Sequence, residues 1–307
     1  MNMRTQISIA IIAGVLFSVV GMEAAQAPEV EPPTAQASAE APSQNQLPEL
    51  RPGPSIEKAF DDMYRLKFDD ARKTLADYDR INSGDPLGAA AEAASFLFEE
   101  FQQKGVFSSA FFLDDKKLLG GVDGSVEQNR NQRFLNADAR ARRLANDRLH
   151  INSRDAESLL ALALADGMES DYDSLIEKKQ IAALEMMKSA DGEATRVLAL
   201  DPSLQDAYVS LGVAGYVIGC LPSYKRAILW FGGIHGDRLR GIELMQNAAS
   251  RGHYLQPFAK IMLALADERE HHYDLAEALL ADLARQFPEN PYFGQELAIA
   301  HRAAILH

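Results

Sequence analysis

Residues whose types and spacing could do chemistry are few in this chain. Glu268 and His272 lie four positions apart in Glu268-Arg269-Glu270-His271-His272, so on one continuous helix both would leave the same face, a spacing that suits two ligands of a metal ion. A third ligand is missing nearby, so the pair reads as a solvated polar face and no metal is assigned. Asp114-Asp115, Asp123-Gly124 and Asp171-Tyr172-Asp173 lack the alternating oxygen ligands and closing glutamate of a calcium loop. Cys220 is the sole cysteine; it cannot form an intramolecular disulfide and reads as a small buried apolar residue rather than a nucleophile. No Gly-x-Ser-x-Gly elbow is present. The glycine-rich Gly232-Gly233-Ile234-His235-Gly236 precedes a helix expected from Arg238, but no strand leads into it and no GxxxxGK[ST] occurs, so it is not read as a phosphate cradle. No catalytic residue and no cofactor are assigned, and the chain is expected not to be an enzyme.

Two segments are chemically distinctive without being reactive. Six of the 14 phenylalanines fall between Phe96 and Phe112. Leu97 and Phe101 mark one helical face with Phe98 beside it, which is expected to fill core. Phe107, Phe111 and Phe112 lie outside that pattern and could instead line an apolar pocket, with Trp230 as a fourth wall. Trp230, the only tryptophan, sits in a second segment, Leu221 to Asp237, expected as a hairpin turn with Trp230 and Phe231 tucked beneath it.

The elements that must hold these residues are helices. From Ser55 onward apolar residues recur at intervals of three and four, and Ser83-Gly84-Asp85-Pro86, Asp201-Pro202-Ser203 and Phe287-Pro288-Glu289-Asn290-Pro291 can each end one helix and start the next. The spacing predicts antiparallel helical hairpins over 55–307. Ahead of them, Ile7 to Val20 is an apolar run following Arg4, and Ala25-Gln26-Ala27 offers a small-x-small cleavage site, so residues 1–27 are expected to be a signal peptide or a retained anchor. Residues 28–54, rich in Pro, Ala, Gln, Ser and Glu, are expected to be a disordered linker. This organisation predicts a periplasmic or secreted protein. With 31 basic against 44 acidic side chains the net charge is −13, which excludes nonspecific nucleic-acid binding. Membrane contact is expected only if the N-terminal segment is retained, with the Trp230 region as a second point of attachment.

Within 55–307 several motifs stand at fixed spacing: Leu263 and Ala264 followed by Tyr273, Ala276, Leu280, Leu283 and Pro288; Tyr208, Leu211 and Gly212; and Tyr64, Phe68, Ala71, Leu75 and Pro86. The pattern resembles the tetratricopeptide repeat family, whose unit of about 34 residues puts a small residue where its two helices cross. The crossing positions would be Ala71, Ala137, Ala190, Gly241 and Ala276, separated by 66, 53, 51 and 35 residues, so insertions are expected in the middle repeats. The resemblance implies an all-α, TPR-like α-solenoid that binds a protein or peptide partner in the cell envelope along its concave groove. Carried position by position, it implies groove residues Asp206, Val209, Val213 and Tyr216 in one unit and Ile261, Leu265, Glu268 and Arg269 in the last. Charged residues at Val213 and Tyr216 are then expected to abolish capture without unfolding the chain. The alternative is a small-ligand receptor or enzyme whose pocket comes from the inserted segments.

Overall fold

The chain's own punctuation sets its helices. Ser55 accepts a hydrogen bond from the Lys58 amide (3.1 Å), satisfying one of the first-turn N–H groups that a helix leaves unpaired, and α1 (Ile56–Tyr64) begins there. Leu66, at φ +61°, turns the chain into α2 (Phe68–Ile81). Asp85 caps α3 (Pro86–Gln103), with Pro86 in the first turn, where its missing N–H is no loss. Then follow α4 (Ser109–Phe112), α5 (Asp115–Gly120), α6 (Gln128–Ile151), α7 (Ala156–Leu175), α8 (Gln180–Leu200), α9 (Ala207–Cys220), α10 (Ser223–Phe231), α11 (Arg238–Arg251), α12 (Gln256–Arg269), α13 (Tyr273–Gln286) and α14 (Pro291–Leu306). Asp155 and Asp237 cap α7 and α11 by accepting from the Ser158 and Arg240 amides (3.1 and 3.0 Å). The computed structural model describes residues 54–306, so the expected signal peptide and all of the expected linker except Pro54 lie outside the described residues.

The protein is all-α, with no strand among the described residues. Its helices pair as α1 with α2, α3 with α6, α7 with α8, α9 with α11 and α12 with α13, while α14 covers α13. Each hairpin packs on the next through α2 on α3, α6 on α7, α8 on α9 and α11 on α12, the neighbour-on-neighbour arrangement of an α-solenoid. The five second helices carry Ala71, Ala137, Ala190, Gly241 and Ala276, and all five residues are buried. Gly241 shows why the position must be small. A Cβ there would lie 2.5 Å from the Tyr216 nitrogen and 2.8 Å from the Gly212 carbonyl oxygen, and one on Gly212 would lie 2.8 Å from the Met245 nitrogen. The α9 and α11 backbones therefore touch, and glycines permit it, Gly219 against the Arg238 nitrogen being a third such contact.

Insertions account for two of the three long separations. The pair α4 and α5 interrupts the second hairpin, and α10 interrupts the fourth. The third separation contains no added helix. Its length is taken up by α6, α7 and α8, of 24, 20 and 21 residues, each about 30 Å or more at 1.5 Å per residue.

The solenoid closes on itself. Tyr64 in α1 donates its hydroxyl proton to the Tyr254 carbonyl (3.1 Å), and the Asn290 side-chain amide donates to the Tyr64 carbonyl (2.8 Å). Phe60 packs on Tyr254 and Tyr64 on Phe287, with ring centroids 5.9 and 5.5 Å apart. Arg65 pairs with Glu289 (2.6 Å) and lies over the Phe287 ring. The first hairpin is thus joined to the last two. Deeper in the ring Phe98 stacks on Phe258 at 5.5 Å, and the inserted α4 sends Phe112 to stack on Tyr216.

Candidate functional site

The wall that was expected to be an open groove is filled by the chain itself. Asp206, Val209, Tyr216, Ile261, Leu265 and Glu268 are all buried, while Val213 and Arg269 are partly buried. Phe112 of the inserted α4 lies on Tyr216, and Phe107 with Phe293 and Glu296 of α14 closes over Ile261, Leu265 and Glu268. Asp206 accepts hydrogen bonds from the backbone amides of His253 (3.0 Å), Tyr254 (3.3 Å) and Leu255 (2.8 Å), tying the start of α9 to the segment that opens α12. Tyr216 is 1% exposed and its hydroxyl donates to Glu270 at 3.1 Å. Arg269 donates to the Phe112 carbonyl (3.0 Å) and pairs with Asp115. Their work is to hold repeats and insertion together, so the expectation that charge at Val213 and Tyr216 leaves the fold intact is corrected: a charge at Tyr216 would be buried and would lose the hydroxyl's bond to Glu270.

The expected pocket does not assemble either. Phe111 and Phe112 are buried in the core, and Phe107 packs edge-on against Phe98, Phe101 and Phe258. Trp230 takes no part in this cluster. A cavity of about 10 Å³ does exist, lined by Phe107, Ile261, Leu265, Glu268, Tyr292 and Glu296, but that is room for about one water. Glu296 accepts from the Ser109 amide (3.2 Å). Both oxygens of Glu268 are buried without a hydrogen-bond partner, and burial, with the Glu296 charge adding to it, pushes its carboxyl up to about 7. Glu296 and Tyr292 come from α14, which the sequence reading had not connected to this place.

The solvated polar face expected for Glu268 and His272 does not form, for a local reason. α12 ends at Arg269 and His271 takes φ +65°, so the chain turns between Glu268 and His272 and the two never share a helical face. Glu268 faces the core, whereas His272 lies 3.5 Å from Asp267 at the surface. Among the described residues no group of three or more His, Cys, Asp or Glu side chains is placed to hold a metal ion. Burial holds the Cys220 thiol above its ordinary range, which disfavours the thiolate a nucleophile needs.

The feature that stands out is α10. Tyr224, Ala227, Ile228 and Phe231 follow the i, i+3, i+4, i+7 pattern that elsewhere in this chain turns to the core. Here it faces outward. Tyr224, Ile228, Trp230 and Phe231 are exposed, Trp230 at 60% and Phe231 at 75%, and α10 has no buried residue. The expectation that Trp230 and Phe231 are tucked beneath the turn is therefore corrected. The chain leaves the body after Cys220 and returns at Gly236, whose absent side chain lets it come against Ile218 and Gly219; a Cβ on Gly236 would sit 2.6 Å from the Gly219 nitrogen. With both feet together, residues 221–235 form an arm. It is not slack, because Gly233, at φ +75°, ends α10 with its amide on the Trp230 carbonyl (3.0 Å) while the Ile234 amide bonds the Leu229 carbonyl (2.9 Å). Arg226 donates to the Gly219 carbonyl, and Lys188 of α8 donates to the Gly232 carbonyl, both at 3.2 Å.

A sequence signal for the arm was available. Pro222 and Gly232-Gly233 bracket an amphipathic stretch of nine helical residues, too short to pair along helices of 14, and the sole tryptophan lies in it. No family model matches the chain, and no curated protein matches it either.

Proposed function

We propose that this is a noncatalytic docking protein of tetratricopeptide type whose recognition element is the α10 arm rather than its concave wall. The single observation that carries this is the set of exposed side chains Tyr224, Ile228, Trp230 and Phe231 on a helix that Arg226 and Lys188 tie to the body. Clustered exposed aromatics on an ordered element are costly to a soluble protein and mark contact surfaces. The closed ring supports the same reading, because the wall that open solenoids use for ligands is occupied by Phe98, Phe258, Phe112 and Tyr216. The five small, buried crossing residues support the repeat type. Export to the cell envelope is part of the proposal and rests on the sequence pattern of residues 1–27.

A photo-crosslinking amino acid placed at Phe231, and separately at the partly buried Val213 of the inner wall, tests the reading in cells that make the protein. Adducts from position 231 and none from 213 are expected. Adducts from position 213 alone would replace the arm with the wall.

A further inference from the structure

We propose that the α10 arm is a membrane-surface anchor that lays its aromatic face into the interfacial layer of an anionic bilayer. The inference rests on the docking reading above and names what the arm docks on. Charge is the first argument. Over residues 221–240 the chain carries Lys225, Arg226, Arg238 and Arg240 against one carboxylate, Asp237, whereas the protein as a whole is at −13. The local sign is thus the reverse of the global one, and it coincides with the apolar stripe. Arg238 pairs with Glu270 and Arg240 with Glu243, but neither Lys225 nor Arg226 has a carboxylate partner among the described residues.

The second argument is the kind of apolar side chain. Trp230 and Tyr224 combine a flat apolar body with one polar group, the combination that settles at the boundary between headgroups and acyl chains. Phe231 and Ile228 supply purely apolar area beside them, and Leu239, two residues into α11, is also exposed. Geometry is the third argument. Nine residues make a helix of about 13.5 Å, far short of a bilayer core of about 30 Å, and no helix among the described residues is long and apolar enough to cross a membrane. The arm therefore lies in the interface plane, with basic groups toward lipid phosphates.

Trp230 is the only tryptophan in the chain, so intrinsic fluorescence reports this one side chain. The full chain would be titrated with vesicles of phosphatidylcholine and with vesicles of phosphatidylcholine and phosphatidylglycerol in equal parts, each with and without acyl-brominated lipid. The expected result is a blue shift and bromine quenching of Trp230 on the anionic vesicles, with neutral vesicles at least about tenfold weaker. Serine at both Ile228 and Phe231 should abolish quenching, and Lys225→Glu should weaken it, with circular dichroism unchanged because all three are at or near the surface. The apolar residues 7–22 could carry the chain to a vesicle by themselves, but only insertion of the arm brings bromine against Trp230. Unshifted emission on both vesicles would overturn the lipid assignment. In that event protein adducts from a crosslinker at position 231 would leave the docking reading standing, and their absence would remove it as well. Emission that is already blue-shifted without vesicles would also overturn the assignment: if it depends on concentration the arm meets a second copy, and if not, another part of this chain covers it.

Discussion

The hydroxyl of Tyr64, in the first helix, donates to the carbonyl oxygen of Tyr254 190 residues later, at 3.1 Å. That bond and the Asn290 amide on the Tyr64 carbonyl close what would otherwise be an open spiral of hairpins. Tyr64→Phe keeps the ring in place and removes one hydrogen bond, so it should cost about 0.5–1.5 kcal/mol. Tyr64→Ala also removes the packing on Phe287 and should cost about 3–5 kcal/mol. Urea unfolding of both variants measures the difference, and equal losses would mean that the ring does not pack as described.

Glycine at 241 is a contact rather than a flexibility device. Gly241→Ala gains about 1 kcal/mol of helix propensity but drives a methyl into the α9 backbone, an overpacking cost of about 1–3 kcal/mol, so the net effect should be loss of stability. Gly192, in α8, is exposed with open space where a Cβ would stand. Gly192→Ala should therefore stabilise by about 0.5–1 kcal/mol. Opposite shifts in melting temperature for the two variants are the expected result.

Asp206 gathers three backbone amides at a buried position. Asp206→Ala leaves those donors without their acceptor, at roughly 1–3 kcal/mol or more. Amide hydrogen exchange should accelerate at His253, Tyr254 and Leu255 before it does so in the centre of α12. Uniform acceleration would assign Asp206 to global stability alone.

Glu268 gives the fold a pH dependence whose sign can be worked out. Its carboxyl is raised from 4.5 to about 7 because it is buried, with Glu296 adding like charge, so the folded state holds the proton more tightly than the unfolded state does. The associated stability is present below about pH 4.5 and is lost as pH rises through 7. Glu268→Gln should therefore gain on the order of 1–3 kcal/mol relative to the parent between pH 4.5 and pH 8. Denaturant unfolding across that range, read as variant minus parent, checks it; a flat difference would show that Glu268 titrates as an exposed carboxyl.

Much of this architecture was legible because it depends on local chemistry. Ser55, Asp85 and Pro86 mark helix starts by their own hydrogen-bonding needs, and the small residues from Ala71 to Ala276 mark crossings because backbones can approach only where side chains are short. The face assignments failed where long-range packing decides them. Nothing in the periodicity of α9 or α12 says that α4 and α14 will cover it, so Tyr216 and Ile261 looked like groove residues. Conversely, an apolar stripe reads as core by default, and Phe231 was placed inside on that ground. Exposure at α10 follows from the Gly219 and Gly236 contact, which pinches the chain and leaves the short helix without a partner. The solvated face expected for Glu268 and His272 does not form, because a single left-handed residue, His271, breaks the helix between them and Glu268 turns to the core.

The most direct test of the arm as the docking element is amide hydrogen exchange of the full chain with and without phosphatidylglycerol-containing vesicles. Within residues 54–306, slower exchange confined to about residues 222–240, with α9 and α12 unchanged, is the predicted result. Protection along α9 and α12 with none on the arm would contradict it and return the binding role to the inner wall.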